Sequence, residues 1–302
     1  MGEFQGVVPA LITPFDSKGK IDEDALCQLI ERNIEANVDG FWITGGTGES
    51  VLLTDDEIIR VAQLSGLQCR GRVKTIVHVG ALTTRSAVKM ATAVGKANID
   101  AISCVPPFFY RPNIEGIINH YKAISDAASL PFFVYNQPKY TGVEISPNLM
   151  KTLIDHVPLV AGVKHSAPDF HNIRRFSQLG IDVFTGSGSL FIPALVSGAS
   201  GVVDGPLTVA PELWVSAYEA FKKGDIERAL VLQEKGAKLV DLAGKFGMQA
   251  TCKALVNARL HINAGSPRLP IASLTDEETK QLLREAQDMG LIRPDTILSP
   301  GS

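Results

Sequence analysis

The sequence predicts an α/β protein that folds as a closed (β/α)8 TIM barrel with a C-terminal helical extension. Short apolar segments alternate with helical segments eight times between residues 6 and 223, without a linker. Such alternation implies parallel strands joined by right-handed crossovers. After residue 223 the apolar strand-like segments stop and three further helices follow. An open, doubly wound sheet is the alternative architecture for the same pattern.

Each predicted strand is a short run rich in Val, Ile, Phe or Ala, typical of a parallel strand buried on both faces. Most of these runs are followed by glycine, proline or small polar residues, which mark the turns at their carboxyl ends. The predicted strands are residues 6–12, 40–43, 75–79, 101–105, 132–135, 160–164, 182–184 and 201–203.

The helices are predicted from apolar periodicity and from their start signals. Thr54 to Glu57 form a capping box, and Ser146-Pro147 places proline at a first helical position. The predicted helices are residues 22–37, one opening at 54, 84–96, 113–128, 146–155, 169–178, a short one ending at 196, 210–223, 225–246, 249–263 and 276–289. We therefore divide the chain into a barrel, residues 1–223, and a helical appendage packed on it, residues 224–302, whose tail 294–302 we expect to be loose.

Composition and charge exclude several classes of function. The chain has 302 residues, 45% of them hydrophobic, and a net charge of -3, so a nucleic-acid partner is not expected. No signal peptide and no apolar run long enough to span a membrane is visible. The four cysteines are scattered, as in a reduced cytoplasmic protein, and the six histidines lack the spacing of a metal site, so we predict no metal.

The sixth strand ends on a single lysine, Lys164, within the stretch LVAGVKHSAP. Barrel active sites form at the carboxyl ends of the strands. Burial disfavours the ammonium form of a lysine, and a neutral amine can attack a ketone to form a Schiff base. The alternative is a strand-end lysine whose stem is buried and whose amine reaches solvent.

Two other strand ends offer groups that suit the same chemistry. TGGTGES follows strand two, where the backbone N–H groups and hydroxyl around Gly46 and Thr47 could bind a carboxylate, or simply form a tight turn. The loop lacks the endings of nucleotide-binding loops. Tyr135 ends strand five, where a phenol can transfer a proton or merely cap the core.

The remaining strand ends carry weaker signals. After strand seven, Gly186, Ser187 and Ser189 offer amides and hydroxyls to a polar ligand, or else a helix cap. Asp204, after strand eight, either points into the barrel mouth or caps a turn. Phe109, after strand four, is a candidate core or interface aromatic.

GGTGES, YNQP and AGVKHS, in this order, resemble the dihydrodipicolinate synthase/N-acetylneuraminate lyase family. The resemblance covers about residues 5–289, including VPALITPFD and RLPIASLTDEE. It implies a cytoplasmic class I aldolase that handles pyruvate or a 2-oxo sugar acid, uses no cofactor beyond its own Schiff base, and is commonly a homotetramer. Lys164 matches the Schiff-base lysine, Tyr135 the acid/base tyrosine, and Gly46 with Thr47 the pair that holds the keto-acid carboxylate.

Several residues differ from the family pattern, and these differences bear on which reaction we expect. Synthases have a hydroxyl residue at the Gly46 position, a tyrosine from the neighbouring subunit at Phe109 and an arginine at Tyr140, so dihydrodipicolinate synthesis is disfavoured. TIVHVGALTTRSA resembles the lyase branch, although Gly188-Ser189 replaces the acidic pair that lyases use to hold sugar hydroxyls.

We therefore predict an N-acetylneuraminate lyase-like enzyme, with Ser187, Ser189 and Asp204 contacting the rest of the substrate. The alternatives are a 2-keto-3-deoxy sugar acid aldolase or dehydratase and dihydrodipicolinate synthase. Outside enzymes, the alternatives are a keto-acid-binding barrel without turnover and an assembly scaffold.

Overall fold

The computed structural model describes residues 2–293. Within them, eight parallel strands form one sheet in the order β1-β8-β7-β6-β5-β4-β3-β2. Strands β2 to β8 therefore lie beside their neighbours in sequence, and β1 lies beside β8. The strands are β1 Gly6–Val7, β2 Gly40–Ile43, β3 Lys74–His78, β4 Ala101–Cys104, β5 Phe132–Asn136, β6 Val160–His165, β7 Asp182–Thr185 and β8 Gly201–Val202.

The sheet closes on itself between the segment after β1 and strand β2. Trp42 N–H donates to the Pro9 carbonyl at 2.9 Å, and Leu11 N–H donates to the Trp42 carbonyl at 3.0 Å. The predicted barrel is confirmed, and the open-sheet alternative is wrong. The first strand is shorter than the predicted 6–12, because Pro9 has no N–H for a regular strand ladder.

The helices alternate with the strands and are followed by the three predicted additional helices. They are α1 Glu23–Glu35, α2 Asp55–Cys69, α3 Thr84–Val94, α4 Ile114–Ala128, α5 Pro138–Thr141, α6 Pro147–His156, α7 Asn172–Ser177, α8 Phe191–Val196, α9 Pro211–Lys222, α10 Ile226–Phe246, α11 Met248–Leu260 and α12 Asp276–Asp288. The capping box of α2 and the proline that opens α6 are both confirmed. The short helix α5 was not predicted, and α7 covers only part of the predicted 169–178.

Two apolar clusters stabilise the barrel. The larger one lies between the sheet and the surrounding helices. The smaller one fills the inside of the barrel with alternate strand residues: Phe4, Val8, Ala10, Trp42, Ile76, Ala101, Phe133, Tyr135, Phe184 and Val203. Because Tyr135 belongs to this inner cluster, its side chain points into the barrel rather than toward the helices.

The C-terminal helices pack directly on the barrel. Gly236 of α10 lies so close to Trp214 of α9 that an added side-chain carbon would come within 2.8 Å of the indole. Arg259 of α11 donates to the Val209 carbonyl at 2.7 Å and pairs with Glu212. The boundary at residue 223 stays a prediction, and the tail 294–302 lies outside the described residues. No helix within residues 2–293 has the length and apolar character needed to cross a membrane.

Candidate active site

Lys164 and Tyr135 lie side by side inside the barrel. The two residues are paired in register on β6 and β5, and neighbours in register point to the same side of a sheet. Both are buried, with 4% and 7% of their surface exposed. Lys164 Nζ is 4.5 Å from the centre of the Tyr135 ring, so the amine and the phenol can reach one small substrate.

Trp42 and His78 complete the aromatic wall around this pair. Lys164 Nζ lies 4.9 Å from the centre of the Trp42 ring, a distance that suits a cation–π contact. Tyr135 packs edge-on against Trp42 and His78, with ring centres 5.5 Å and 5.8 Å apart. The four side chains therefore hold one another in fixed orientations at the floor of the site.

His78 is a neutral spacer rather than an acid. Its Nδ1 lies 3.2 Å from the Thr44 carbonyl and therefore carries the proton, while Nε2 accepts the Val105 N–H at 3.3 Å. Burial lowers the pKa of His78 to about 4; the Thr44 hydrogen bond opposes this shift and the Lys164 charge adds to it. His78 thereby fixes the start of the loop after β2.

The loop after β2 bends over the phenol. It begins and ends in the left-handed region, at Thr44 with φ 54° and at Glu49 with φ 63°. An added side-chain carbon on Gly46 would lie 4.0 Å from Tyr135 Oη, so this glycine borders the hydroxyl. A carbon added to Gly205, after β8, would come within 2.9 Å of Thr47 Oγ1. The loop thus lies between the ends of β5 and β8.

Two N–H groups of this loop are free to bind an anion. Among residues 2–293, neither Gly46 N–H nor Thr47 N–H has a protein acceptor. Gly46 is exposed and Thr47 is half-buried. Successive unpaired N–H groups of a tight turn can form a concave anion site. That Gly46 and Thr47 bind a carboxylate stays a prediction.

The loops after β7 and β8 are held together by Asp204. Its carboxylate accepts the N–H groups of Gly188 and Gly205, both at 2.8 Å. Burial raises the pKa of Asp204, although these two hydrogen bonds and the Lys164 charge oppose the shift. Of the two predicted roles, the turn-capping one describes this geometry.

Ser187 and Ser189 are half-buried, with their hydroxyl oxygens 3.4 Å apart. Gly186 lies against Ser166, since an added side-chain carbon would overlap the Ser166 hydroxyl at 1.8 Å. The wall contributed by this β7 loop therefore consists of hydroxyls and backbone.

Phe109 and Tyr140 lie on the surface. Their exposed fractions are 82% and 74%, and the Phe109 ring stacks edge-on with Tyr110. Within a single chain neither residue packs in the buried Lys164 cluster. A role for Phe109 across a subunit interface, and the predicted homotetramer, stay predictions.

Three residues of the site were not identified from the sequence. His78 and Trp42 lie on strands already predicted, and His78 at a carboxyl end could have been found from its position alone. Gln249, on α11, donates to the Gly46 carbonyl at 3.0 Å across 203 residues of sequence. No local signal marks that contact.

A closed barrel with a buried lysine and a tyrosine at neighbouring strand ends defines an enzyme class, the carbon–carbon lyases of the class I aldolase type. Residues 3–289 match the sequence model of the Dihydrodipicolinate synthetase family, and the chain belongs to that family.

Relatives with two different activities match at nearly full length. A 4-hydroxy-tetrahydrodipicolinate synthase of Methanopyrus kandleri is 36% identical over 96% of this chain and 98% of its own. An N-acetylneuraminate lyase of Citrobacter koseri is 29% identical over 95% and 97%. The structure of the Ruminococcus gnavus sialic acid aldolase superposes with a TM-score of 0.91 at 26% identity, covering 95% and 97% of the two chains. These comparisons establish the family and leave both named activities open.

Proposed function

We propose that this protein is a pyruvate-dependent class I aldolase that cleaves or forms a carbon–carbon bond of a 2-oxo acid, in the manner of N-acetylneuraminate lyase. The observation that carries the proposal is the buried Lys164 amine 4.5 Å from the Tyr135 ring, with the free N–H groups of the Gly46–Thr47 turn beside the phenol. This arrangement supplies a nucleophile, a proton carrier and an anion site in one place.

In the proposed reaction, the Gly46 and Thr47 N–H groups and the Thr47 hydroxyl bind the carboxylate of the 2-oxo acid. Lys164 Nζ attacks the C2 carbonyl, and the Tyr135 hydroxyl gives its proton to the departing hydroxide. Loss of this water leaves a protonated imine beside a Tyr135 phenolate. As the C3–C4 bond breaks, its electron pair moves toward the imine nitrogen while Tyr135 takes the proton of the C4 hydroxyl. An aldehyde leaves, and the resulting enamine gains a proton at C3. Water then hydrolyses the imine to pyruvate and free Lys164.

The proposal is tested by adding pyruvate with borohydride, which reduces an imine to a stable amine. We expect mass spectrometry to find the adduct on Lys164 and no adduct in Lys164→Ala. An unmodified Lys164 at saturating pyruvate would overturn the proposal. Pyruvate binding that survives Lys164→Ala, without aldehyde release from any substrate, would favour a keto-acid-binding barrel.

Two observations favour other substrates, which the activity measurements must therefore include. The hydroxyl-only loop after β7 favours a 2-keto-3-deoxy sugar acid, for an aldolase or a dehydratase, because Asp204 is engaged by two backbone N–H groups. The 36% identity to the Methanopyrus kandleri synthase favours dihydrodipicolinate synthesis. Pyruvate release from a panel of sialic and 2-keto-3-deoxy acids separates the two lyase activities. Consumption of pyruvate with formation of dihydrodipicolinate is the signature of the synthase.

A further inference from the structure

One face of α11 contacts both ends of the four-residue turn Gly46–Glu49, which contains the Gly46–Thr47 pair that we assign to the substrate carboxylate. Gln249 Nε2 donates to the Gly46 carbonyl at 3.0 Å. Lys253, four residues later and therefore on the same helix face, has its Nζ 2.8 Å from Glu49 Oε1. The C-terminal appendage thus contacts the turn at its first and last residues.

The contact at Gly46 controls the direction of the neighbouring N–H group. The Gly46 carbonyl accepts both Gln249 Nε2 and the Glu49 N–H, the latter at 3.1 Å. The Gly46 carbonyl and the Thr47 N–H belong to one planar trans peptide unit, in which they point in opposite directions. Fixing the carbonyl therefore fixes where the free Thr47 N–H points.

The contact at Glu49 anchors the other end of the turn. The side chains of Glu49 and Lys253 are 0% and 1% exposed, and Glu49 Oε2 also accepts the Arg268 N–H at 2.8 Å. Lys253 donates to the Ser266 carbonyl at 3.0 Å and lies 4.0 Å from the centre of the Phe15 ring. Glu49 adopts the left-handed backbone conformation that is uncommon for a residue with a side chain, so it needs such an anchor.

We propose that α11 is a positioning element, through which Gln249 and the Lys253–Glu49 pair orient the Thr47 N–H toward the carboxylate of the 2-oxo acid. The inference rests on the proposed function. According to this inference, α11 strengthens binding of the substrate carboxylate but takes no part in forming or breaking the imine.

Borohydride capture with two ketones tests the inference, because pyruvate carries a carboxylate and acetone does not. In Gln249→Ala, we expect the pyruvate concentration for half-maximal capture to rise about 3- to 10-fold, the range for one net hydrogen bond. The capture rate with acetone should match that of the unaltered protein. Gln249→Glu should weaken pyruvate capture further, since a carboxylate cannot donate to Gly46 and repels the substrate anion.

Matched variants elsewhere in the appendage serve as controls. Gln281 donates to Glu285 at 2.9 Å on α12, so Gln281→Ala loses a helix-surface hydrogen bond without touching the turn. Lys253→Met should also weaken pyruvate capture selectively, whereas Lys245→Met, which breaks the exposed Lys245–Glu285 pair, should not. Should Lys253→Met fail to fold, the Gln249 series decides alone.

An unchanged half-saturation in Gln249→Ala, or an equal loss with pyruvate and acetone, would overturn the positioning role while leaving the proposed function intact. Absence of capture by the unaltered protein would overturn the proposed function itself.

Discussion

At the scale of single residues, the main feature of the candidate site is one amine buried among aromatic side chains. Lys164 lies between the Trp42 and Tyr135 rings, and His78 closes the wall as a neutral ring. A neutral His78 adds no second positive charge beside an amine that has to act as a nucleophile. The proposed reaction accordingly assigns the attack to Lys164 and the proton transfer to Tyr135.

Tyr135→Phe tests this division. The ring contacts to Trp42 and His78 persist, but the proton carrier is lost, so we expect cleavage of the 2-oxo acid to slow by about 100- to 10,000-fold. Turnover is measured by coupled detection of released pyruvate, beside circular dichroism to confirm folding. Tyr121→Phe is the control, because that buried hydroxyl has no partner among the described residues and its loss should be neutral or stabilising. Equal turnover of Tyr135→Phe and the unaltered protein would contradict the assignment.

The sequence sufficed to bring together residues at or just after the carboxyl ends of the strands. Lys164, Tyr135, Gly46 and Thr47 could be placed together because the carboxyl ends of parallel strands meet at one rim. It could not place Gln249, because a contact across 203 residues depends on how the appendage docks. Nor did it decide the role of Asp204, because a carboxylate after a strand suits a substrate or two backbone N–H groups equally well.

At the scale of elements, the ends of β5 and β6 are joined beyond the catalytic pair. Asn136 and His165, the next residues along the two strands, are paired in register and buried. Asn136 Nδ2 lies 3.1 Å from His165 Nδ1. The Asn136 side chain also donates to the Ile145 carbonyl and accepts the Ile145 N–H. His165 Nε2 lies 2.9 Å from the Asp169 carbonyl and donates to it. This clamp fixes the separation of Tyr135 and Lys164.

Asn136→Ala should therefore lower both stability and turnover. It leaves His165 Nδ1 and the two Ile145 groups without a partner, at a cost of about 2–4 kcal/mol in the free energy of unfolding. We expect kcat per folded molecule to fall at least several-fold. Asn33→Ala, which removes a buried asparagine bound to the Leu29 and Thr208 carbonyls, should destabilise without changing kcat. Urea unfolding and pyruvate-release kinetics measure the two effects, and an equal kcat in both variants would refute the clamp.

The predicted bounds of helices and strands were correct where neighbouring residues determine them, and wrong where packing between elements determines them. The capping box of α2 and the proline of α6 begin helices at the predicted positions, since both signals act within one turn. The extent of β1 depends instead on its pairing with β8 and on Pro9. The short helix α5 has Pro138 at its start and Gly142 at its end, but its four residues are too few for an apolar periodicity to appear.

At the scale of the whole molecule, three buried histidines set how stability depends on pH. His78, His120 and His165 are each at most 5% exposed, and burial lowers their pKa values, to about 4 for His78 and His120. In the unfolded chain these groups titrate near the ordinary value of 6.5. Their contribution to stability is therefore complete above pH 6.5 and is lost as the pH falls toward about 4.

The carboxylates affect the free energy of unfolding at lower pH than the histidines do. Arg268 and Arg72 lower the pKa values of Glu57 and Glu31 to about 2, so these pairs lose stability only below the ordinary value of 4.5. Burial raises the pKa of Asp39 and Asp182 above the ordinary 3.8, an effect of opposite sign in the same acidic range. The histidines should therefore dominate the slope between pH 6.5 and about 5.

For His78 and His120, we expect the free energy of unfolding to fall as the pH drops below 6.5, each with a slope that approaches about 1.4 kcal/mol per pH unit near pH 5. His165 acts in the same direction. His120 lies away from the Lys164 cluster, with Nδ1 2.9 Å from the Thr84 hydroxyl, and suits the test. His120→Gln should make the slope shallower by an amount that approaches about 1.4 kcal/mol per pH unit near pH 5, because one proton fewer is taken up on unfolding. Guanidinium unfolding followed by tryptophan fluorescence at several pH values between about 5 and 7 measures both slopes. A variant with the same slope as the unaltered protein would show that His120 is already protonated in the folded state.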